Sequence, residues 1–244
     1  MKKISLMNKG YIVQNLLNDK QVEIIKKKIS FYYNLKKNNI NSKISSLYLK
    51  NSDKAGNRYD LLNLDLDIQA IFYSDNVIKK IKKIFSDKIS TKKLHLGFAD
   101  FQILVMLPNT KKEHLGWHQD SAYFRYSNKL SSNLVVWTPI SMTSKIVNGS
   151  LDLIEKSNKK GPIKHDENLS KIRKKVSLNQ RGRFFIDEKK INMKNKINIS
   201  VESGKSLIFD ANMIHRTSRE QKISNDIRFT LIARYKYLNK LMIK

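Results

Sequence analysis

Trp117-His118-Gln119-Asp120 sets an imidazole and a carboxylate two positions apart. In extended backbone that spacing turns both side chains to one face, where a single metal ion can take both. A third donor stands at His215, just beyond the apolar run Ser206-Leu207-Ile208-Phe209, where a neighbouring strand can deliver it. The chain has no cysteine, so any metal must be held by His, Asp or Glu. Two imidazoles and one carboxylate form the facial set that leaves positions open on iron(II) for a cosubstrate and for oxygen. His-x-Asp alone is a short, common pattern, and a surface hydrogen-bonded pair is the plain alternative to a ligand pair.

Arg228-Phe229-Thr230 follows in a further β-like run. Arg228 and Thr230 share a strand face, so guanidinium and hydroxyl can converge on one carboxylate. A buried Arg is costly without such an anion; the alternative is an edge-strand Arg in water.

These residues need a scaffold, and the chain changes character along its length. Asn18 with Gln21 forms a capping-box pattern, and Val22, Ile25, Ile29 and Tyr32 or Tyr33 recur at helical spacing, which predicts a helix over about 19–35. A second helix is expected after Ser74, with Val77, Ile78, Ile81, Ile84 and Phe85 on one side and lysines on the other. Residues 38–67 are polar and contain Gly56, and read as loop with short ordered pieces. From Phe98 the pattern becomes short β-like runs at 101–107, 133–140, 150–155, 205–209 and 228–235, separated by turn signals such as Pro108-Asn109 and Asn148-Gly149. Many short strands without intervening helical patterns favour an antiparallel sandwich or barrel. The expected fold is mainly β with N-terminal helices, a double-stranded β-helix or cupin-like jelly roll in one domain over residues 1–244. Its helical part covers about 1–97 and its core about 98–238. Residues 156–200 are polar and read as an insertion between strands.

Composition excludes several classes. With 40% hydrophobic and 9% aromatic residues in 244, global disorder is excluded. No apolar run approaches a membrane span, and the first twenty residues hold no signal-peptide core, so a cytoplasmic protein is expected. The net charge of +27 suits a polyanion, but lysine pairs are spread along the whole chain without aromatic interleaving. It reads first as a solvated basic surface.

The chemistry-bearing segments resemble the phytanoyl-CoA dioxygenase family of iron(II)- and 2-oxoglutarate-dependent oxygenases. Trp117 to Tyr123 is similar to the family's metal motif, 134–140 to its next strand and Asn148-Gly149-Ser150-Leu151 to its Asn-Gly-small-Leu turn. Gly204 to Phe209, His215 and 228–235 match its last strands in order and spacing, so the resemblance covers about 98–238. It implies His118, Asp120 and His215 as iron ligands and catalytic centre. Arg228 would be the partner of the distal 2-oxoglutarate carboxylate, with Thr230 and Thr217 as hydroxyl partners and Trp137 as a pocket wall. Gln102 on the preceding strand is a further candidate, the alternative being an outward polar residue. It also implies O2 as co-reactant, succinate and CO2 as products and hydroxylation of a small-molecule substrate. His165 falls where the family often has a histidine near the substrate mouth, whereas His95 and His114 read as ordinary polar positions. Arg125 can meet an anionic substrate or face water. Where the family usually continues Pro-Gly-Ser-His, this chain has Glu155-Lys156-Ser157-Asn158, which leaves the geometry of that turn open. The rival readings are an oxygenase acting on nucleic acid, suggested by the spacing of Arg228 and Arg234, and a metal-free jelly-roll binding module. An anionic substrate is suggested by Lys159, Lys160, Lys164, Arg181 and Arg183.

Overall fold

The structure, a computed structural model, describes residues 6–35, 40–50, 52–88, 95–107, 115–123, 133–145, 149–165, 185–218 and 226–238. The capping pattern at Asn18 opens helix α2 (Asp19–Tyr32), after the short α1 (Leu6–Lys9) and strand β1 (Tyr11–Gln14). The Asn18 side chain accepts the Gln21 N–H at 2.9 Å, and the Gln21 side chain accepts the Asn18 N–H at 3.0 Å. Two N–H groups that the first turn leaves unbonded are thereby satisfied.

Residues 38–67 are not the loop that their polarity suggests. They hold helices α3 (Ile40–Lys50) and α4 (Ser52–Asn63), and α5 (Leu66–Tyr73) begins at their end. Ile44, Ala55 and Leu62 are buried but too widely spaced among polar residues to draw an apolar stripe, so these helices depend on the layer they pack against. Asn63 shows how: its Oδ1 accepts the Ile103 N–H at 2.6 Å and its Nδ2 donates to the Ile103 carbonyl at 3.3 Å, which covers an edge strand. The last helix, α6 (Asp75–Lys88), buries Val77, Ile81, Ile84 and Phe85 as its spacing predicts.

The strands β2 (His95–Met106), β3 (Asn133–Ser141), β4 (Leu151–Ile154), β5 (Lys196–Ile199), β6 (Ser206–Asp210), β7 (His215–Thr217) and β8 (Arg228–Leu238) join β1 in two antiparallel sheets. One has the order β1-β6-β3-β8-β2 and the other β5-β4-β7. The expected insertion at 156–200 therefore contains a strand, β5; Ile197 and Ile199 alternate with polar residues, a pattern masked by the lysines around it. Residues 166–184 of that stretch, with Arg181 and Arg183, lie outside the described residues, as do His114 and Arg125.

Period two assigns the faces of the larger sheet. Leu134, Val136, Ile140, Ile208, Phe229, Leu231, Ala233 and Tyr235 share one apolar cluster with helix residues such as Ile25, Phe72 and Phe85. Val135, Trp137, Leu207, Phe209 and Ile232 share another with Leu151 and Leu153 of β4. The larger sheet thus carries the helices on one side and the small sheet on the other. No described helix is long and apolar enough to cross a membrane.

Phe72 is fully buried against Phe101, with ring centroids 5.4 Å apart, and its carbonyl accepts the Tyr235 hydroxyl at 2.8 Å. Phe72→Ala is expected to cost about 3 to 5 kcal/mol in denaturant unfolding. A loss below about 1 kcal/mol would show that the helical layer does not rest on this contact.

Candidate metal centre

The metal motif does not run on as a strand. His118 makes an isolated antiparallel bridge to His215, and Asp120 then opens a 3-10 turn (Asp120–Tyr123). His118 N–H donates to the His215 carbonyl at 2.9 Å, and His215 N–H returns a bond to the His118 carbonyl at 3.0 Å. The two residues of the bridge face each other directly, so their rings meet with centroids 4.2 Å apart. The expected common face of His118 and Asp120 is reached through a turn, not by strand alternation.

The other nitrogen of each ring is committed. His118 Nδ1 lies 2.8 Å from the Gly116 carbonyl and His215 Nδ1 2.9 Å from the Met213 carbonyl. A carbonyl only accepts, so each Nδ1 carries the proton and each Nε2 is left as a lone pair. Asp120 Oδ1 stands 3.5 Å from His118 Nε2 and 3.6 Å from His215 Nε2. Three buried acceptors thus converge, with one ligand atom from each residue all within 4.8 Å of one another. A divalent cation suits that set.

Close approach at Gly10 supports this corner. Its φ of +89° is open to glycine, and a Cβ there would come within 2.3 Å of the Met213 sulfur. A side chain at residue 10 would push on the residue whose carbonyl orients His215.

Asp120 has a partner that the sequence reading missed: Arg234 Nε donates to its Oδ2 at 2.7 Å. Burial alone would raise the Asp120 pKa, but the Arg234 charge and the two imidazoles hold it well below the usual carboxylate range. Burial and the neighbouring His118 push His215 down to about 3. The even spacing of 228, 230, 232 and 234 along β8 could have placed Arg234 on the face of Arg228.

Gln119, fully buried, clamps the motif from behind. Its side chain donates to the Gly161 and Asn212 carbonyls at 3.0 and 2.7 Å and accepts the Ile163 N–H at 2.8 Å. Its own N–H donates to His165 Nε2 at 2.9 Å, so His165 is a buried support of the metal loop. The open question at Glu155-Lys156-Ser157-Asn158 resolves as a left-handed Lys156 followed by a 3-10 turn. Ser157 Oγ accepts the Ile214 N–H there at 2.8 Å.

Arg228, Thr230 and Trp137 lie on the sandwich side of the larger sheet, with the Arg228 guanidinium carbon 5.1 Å from the Trp137 ring centroid. The Thr230 hydroxyl is buried and has no hydrogen-bond partner among the described residues. Thr217 accepts the Leu115 N–H at 3.3 Å. Gln102 pairs with Ile232 across β2 and β8, and alternation gives it the same side as Leu104 in the sandwich cluster. His95 begins β2, away from this group in register. Lys159, Lys160 and Lys164 are exposed.

A two-sheet β scaffold whose interior carries a buried His-Asp-His set, with an Arg and a Thr on the facing strand, defines a non-haem metal enzyme class. Residues 8–229 match the phytanoyl-CoA dioxygenase family, and the chain belongs to that family. Its fold is similar to that of the apo non-heme monooxygenase ThoJ, with TM-score 0.62 and 15% identity over 95% of this chain and 75% of that one. It is also similar to EvdO2 from Micromonospora carbonacea var. aurantiaca complexed with 2-oxoglutarate, with TM-score 0.58 and 11% identity over 96% and 89%. A nickel complex of ThoJ gives TM-score 0.57 at 14% identity, over 95% and 75%. No curated protein sequence matches the chain significantly.

The shifts at His215 and Asp120 predict an acid-sensitive metal-free protein. His215 has a folded pKa of about 3 against roughly 6.5 unfolded, so its contribution is whole above pH 6.5 and is lost as pH falls toward 3. Asp120, also depressed, contributes above about pH 4 and is lost below it. Thermal unfolding should therefore show Tm falling from pH 6.5 to 4.5, with a flatter profile in His215→Asn. A wild-type Tm constant over that range would contradict the burial and pairing described.

Proposed function

We propose that the protein is an iron(II)- and 2-oxoglutarate-dependent dioxygenase that hydroxylates a small polar metabolite or glycan precursor. In this reading the two sheets are the walls of a double-stranded β-helix, and residues 1–244 act as one domain. The convergence of two Nε2 lone pairs and one carboxylate oxygen carries the reading, because that donor set is what iron(II) takes facially. EvdO2, solved with 2-oxoglutarate, supports the cosubstrate.

His118, Asp120 and His215 would hold the metal. When bound, iron and 2-oxoglutarate supply oxygen activation coupled to decarboxylation, giving succinate and CO2 and placing one oxygen atom on a substrate carbon. The protein's residues position and exclude. Nδ1 bonds to Gly116 and Met213 keep both imidazoles in the ligating tautomer. Arg234 takes one carboxylate oxygen of Asp120 and leaves the other facing the two Nε2 atoms. Arg228, buried beside the Trp137 ring, and the Thr230 hydroxyl would bind the distal carboxylate of the cosubstrate, with Thr217 and Gln102 on the same side. Trp137, Leu207 and Phe209 exclude water from the floor between the sheets. The exposed Lys159, Lys160 and Lys164 beside Gln119's anchor segment favour an anionic substrate.

Anaerobic reconstitution should give one iron(II) per chain, and Asp120→Ala should abolish both tight iron binding and succinate release. Full iron affinity and turnover in that variant would overturn the ligand assignment. Arg228→Ala should leave iron binding intact while raising the 2-oxoglutarate KM by an amount equivalent to about 2 to 5 kcal/mol, as for loss of a buried charged partner. An unchanged 2-oxoglutarate dependence would remove Arg228 from the cosubstrate site.

A further inference from the structure

The small sheet has a second, outer rung that the chemistry above leaves unused. Antiparallel register places Asn198 of β5, Asp152 of β4 and Arg216 of β7 side by side. The His118–His215 bridge continues the row, because Trp117 then falls opposite Arg216. The contacts follow that order. Asn198 Nδ2 donates to Asp152 Oδ1 at 2.8 Å, Arg216 Nε donates to Asp152 Oδ2 at 2.9 Å, and the Arg216 guanidinium carbon sits 4.4 Å from the Trp117 ring centroid. Glu188 closes the group, accepting from Arg216 Nη1 at 3.1 Å and from Trp117 Nε1 at 3.3 Å. Lys196 Nζ lies 3.5 Å from Asp152 Oδ2. Among the described residues two cations face two anions, and Asp152 and the Arg216 side chain are buried within the cluster.

We propose that Arg216 is a positioning residue for the two ligand histidines, acting through its stack on Trp117 from the outer face of the small sheet. This rests on the iron reading above. Trp117 immediately precedes His118 and Arg216 immediately follows His215, so the outer contact and the inner imidazole pair are opposite faces of one two-residue bridge. Stacking fixes the separation and twist of that bridge, and the fork onto Asp152 and Glu188 fixes the guanidinium plane on which Trp117 lies. Ligand geometry tolerates little slack, so loosening the outer face should weaken the metal site without removing a ligand.

The test titrates the anaerobic apoprotein with cobalt(II), whose visible absorption reports coordination geometry. Arg216→Lys keeps the charge and loses the planar fork and stack; it is expected to bind cobalt roughly tenfold more weakly, with a changed spectrum. Phe72→Ala, destabilised far from the bridge, should bind as wild type and separates positioning from general instability. Glu188 is about half exposed, so Glu188→Gln carries the test if Arg216→Lys does not fold, with an expected loss of about threefold. Cobalt affinity and spectrum unchanged in Glu188→Gln and in folded Arg216→Lys would overturn the proposal, as would an equal loss in Phe72→Ala. Absence of binding by wild type would instead overturn the iron reading, and the positioning role with it.

Discussion

Two backbone hydrogen bonds between His118 and His215 tie a segment that belongs to no extended strand onto the edge strand β7. Everything at the centre hangs on them. They bring together two imidazoles from distant parts of the sequence, and because each ring's Nδ1 is bonded to a carbonyl two residues earlier in its own chain, the rings have little freedom left. The carboxylate is then set by the turn that follows, held by the Gln119 clamp on one side and by Ser121 N–H on the Ala211 carbonyl at 3.0 Å on the other. Backbone geometry places the donors, and the side chains complete the selection.

Burying Asp120 brings a second constraint. A carboxylate with almost no exposed surface is tolerable only where its charge is met, and Arg234 meets it. Arg234 can do so only if β8 turns its even-numbered residues toward the small sheet, which also places Arg228 and Thr230 there. The odd-numbered Phe229, Leu231, Ala233 and Tyr235 enforce that orientation by burying against the helices. The helical layer thus covers the apolar face of a strand whose polar face lies toward the site.

The sequence exposes the donors more readily than their setting. His118, Asp120 and His215 are legible as a cluster because few residue types ligate a metal, and the residues around them match a known family pattern. Antiparallel strands β2, β3, β6 and β8 are legible from apolar runs. Helices α3 and α4 are not, since polar residues occupy most of their positions and, among the described residues, only Ile44, Ala55 and Leu62 mark their buried side. Strands β1, β5 and β7, of three or four residues, are too short for alternation to stand out. The turn at Asp120 has no local signature, because what bends the chain there is Gln119 bonding to residues far along it.

The high net charge is consistent with this arrangement once its location is considered. At the centre, Arg234 is met by Asp120, and Arg216 by Asp152 and Glu188, whereas Lys159, Lys160 and Lys164 are exposed. The site is therefore set up before any metal arrives: Asp120 ionised, His215 neutral, and each Nε2 turned inward. Metal binding usually competes with protons on the ligands and weakens as they are protonated. Here burial and pairing have already removed that competition at Asp120 and His215 near neutral pH. The cost of desolvating those groups falls on folding and is offset by apolar burial such as that of Trp137, Leu207 and Phe209 between the sheets.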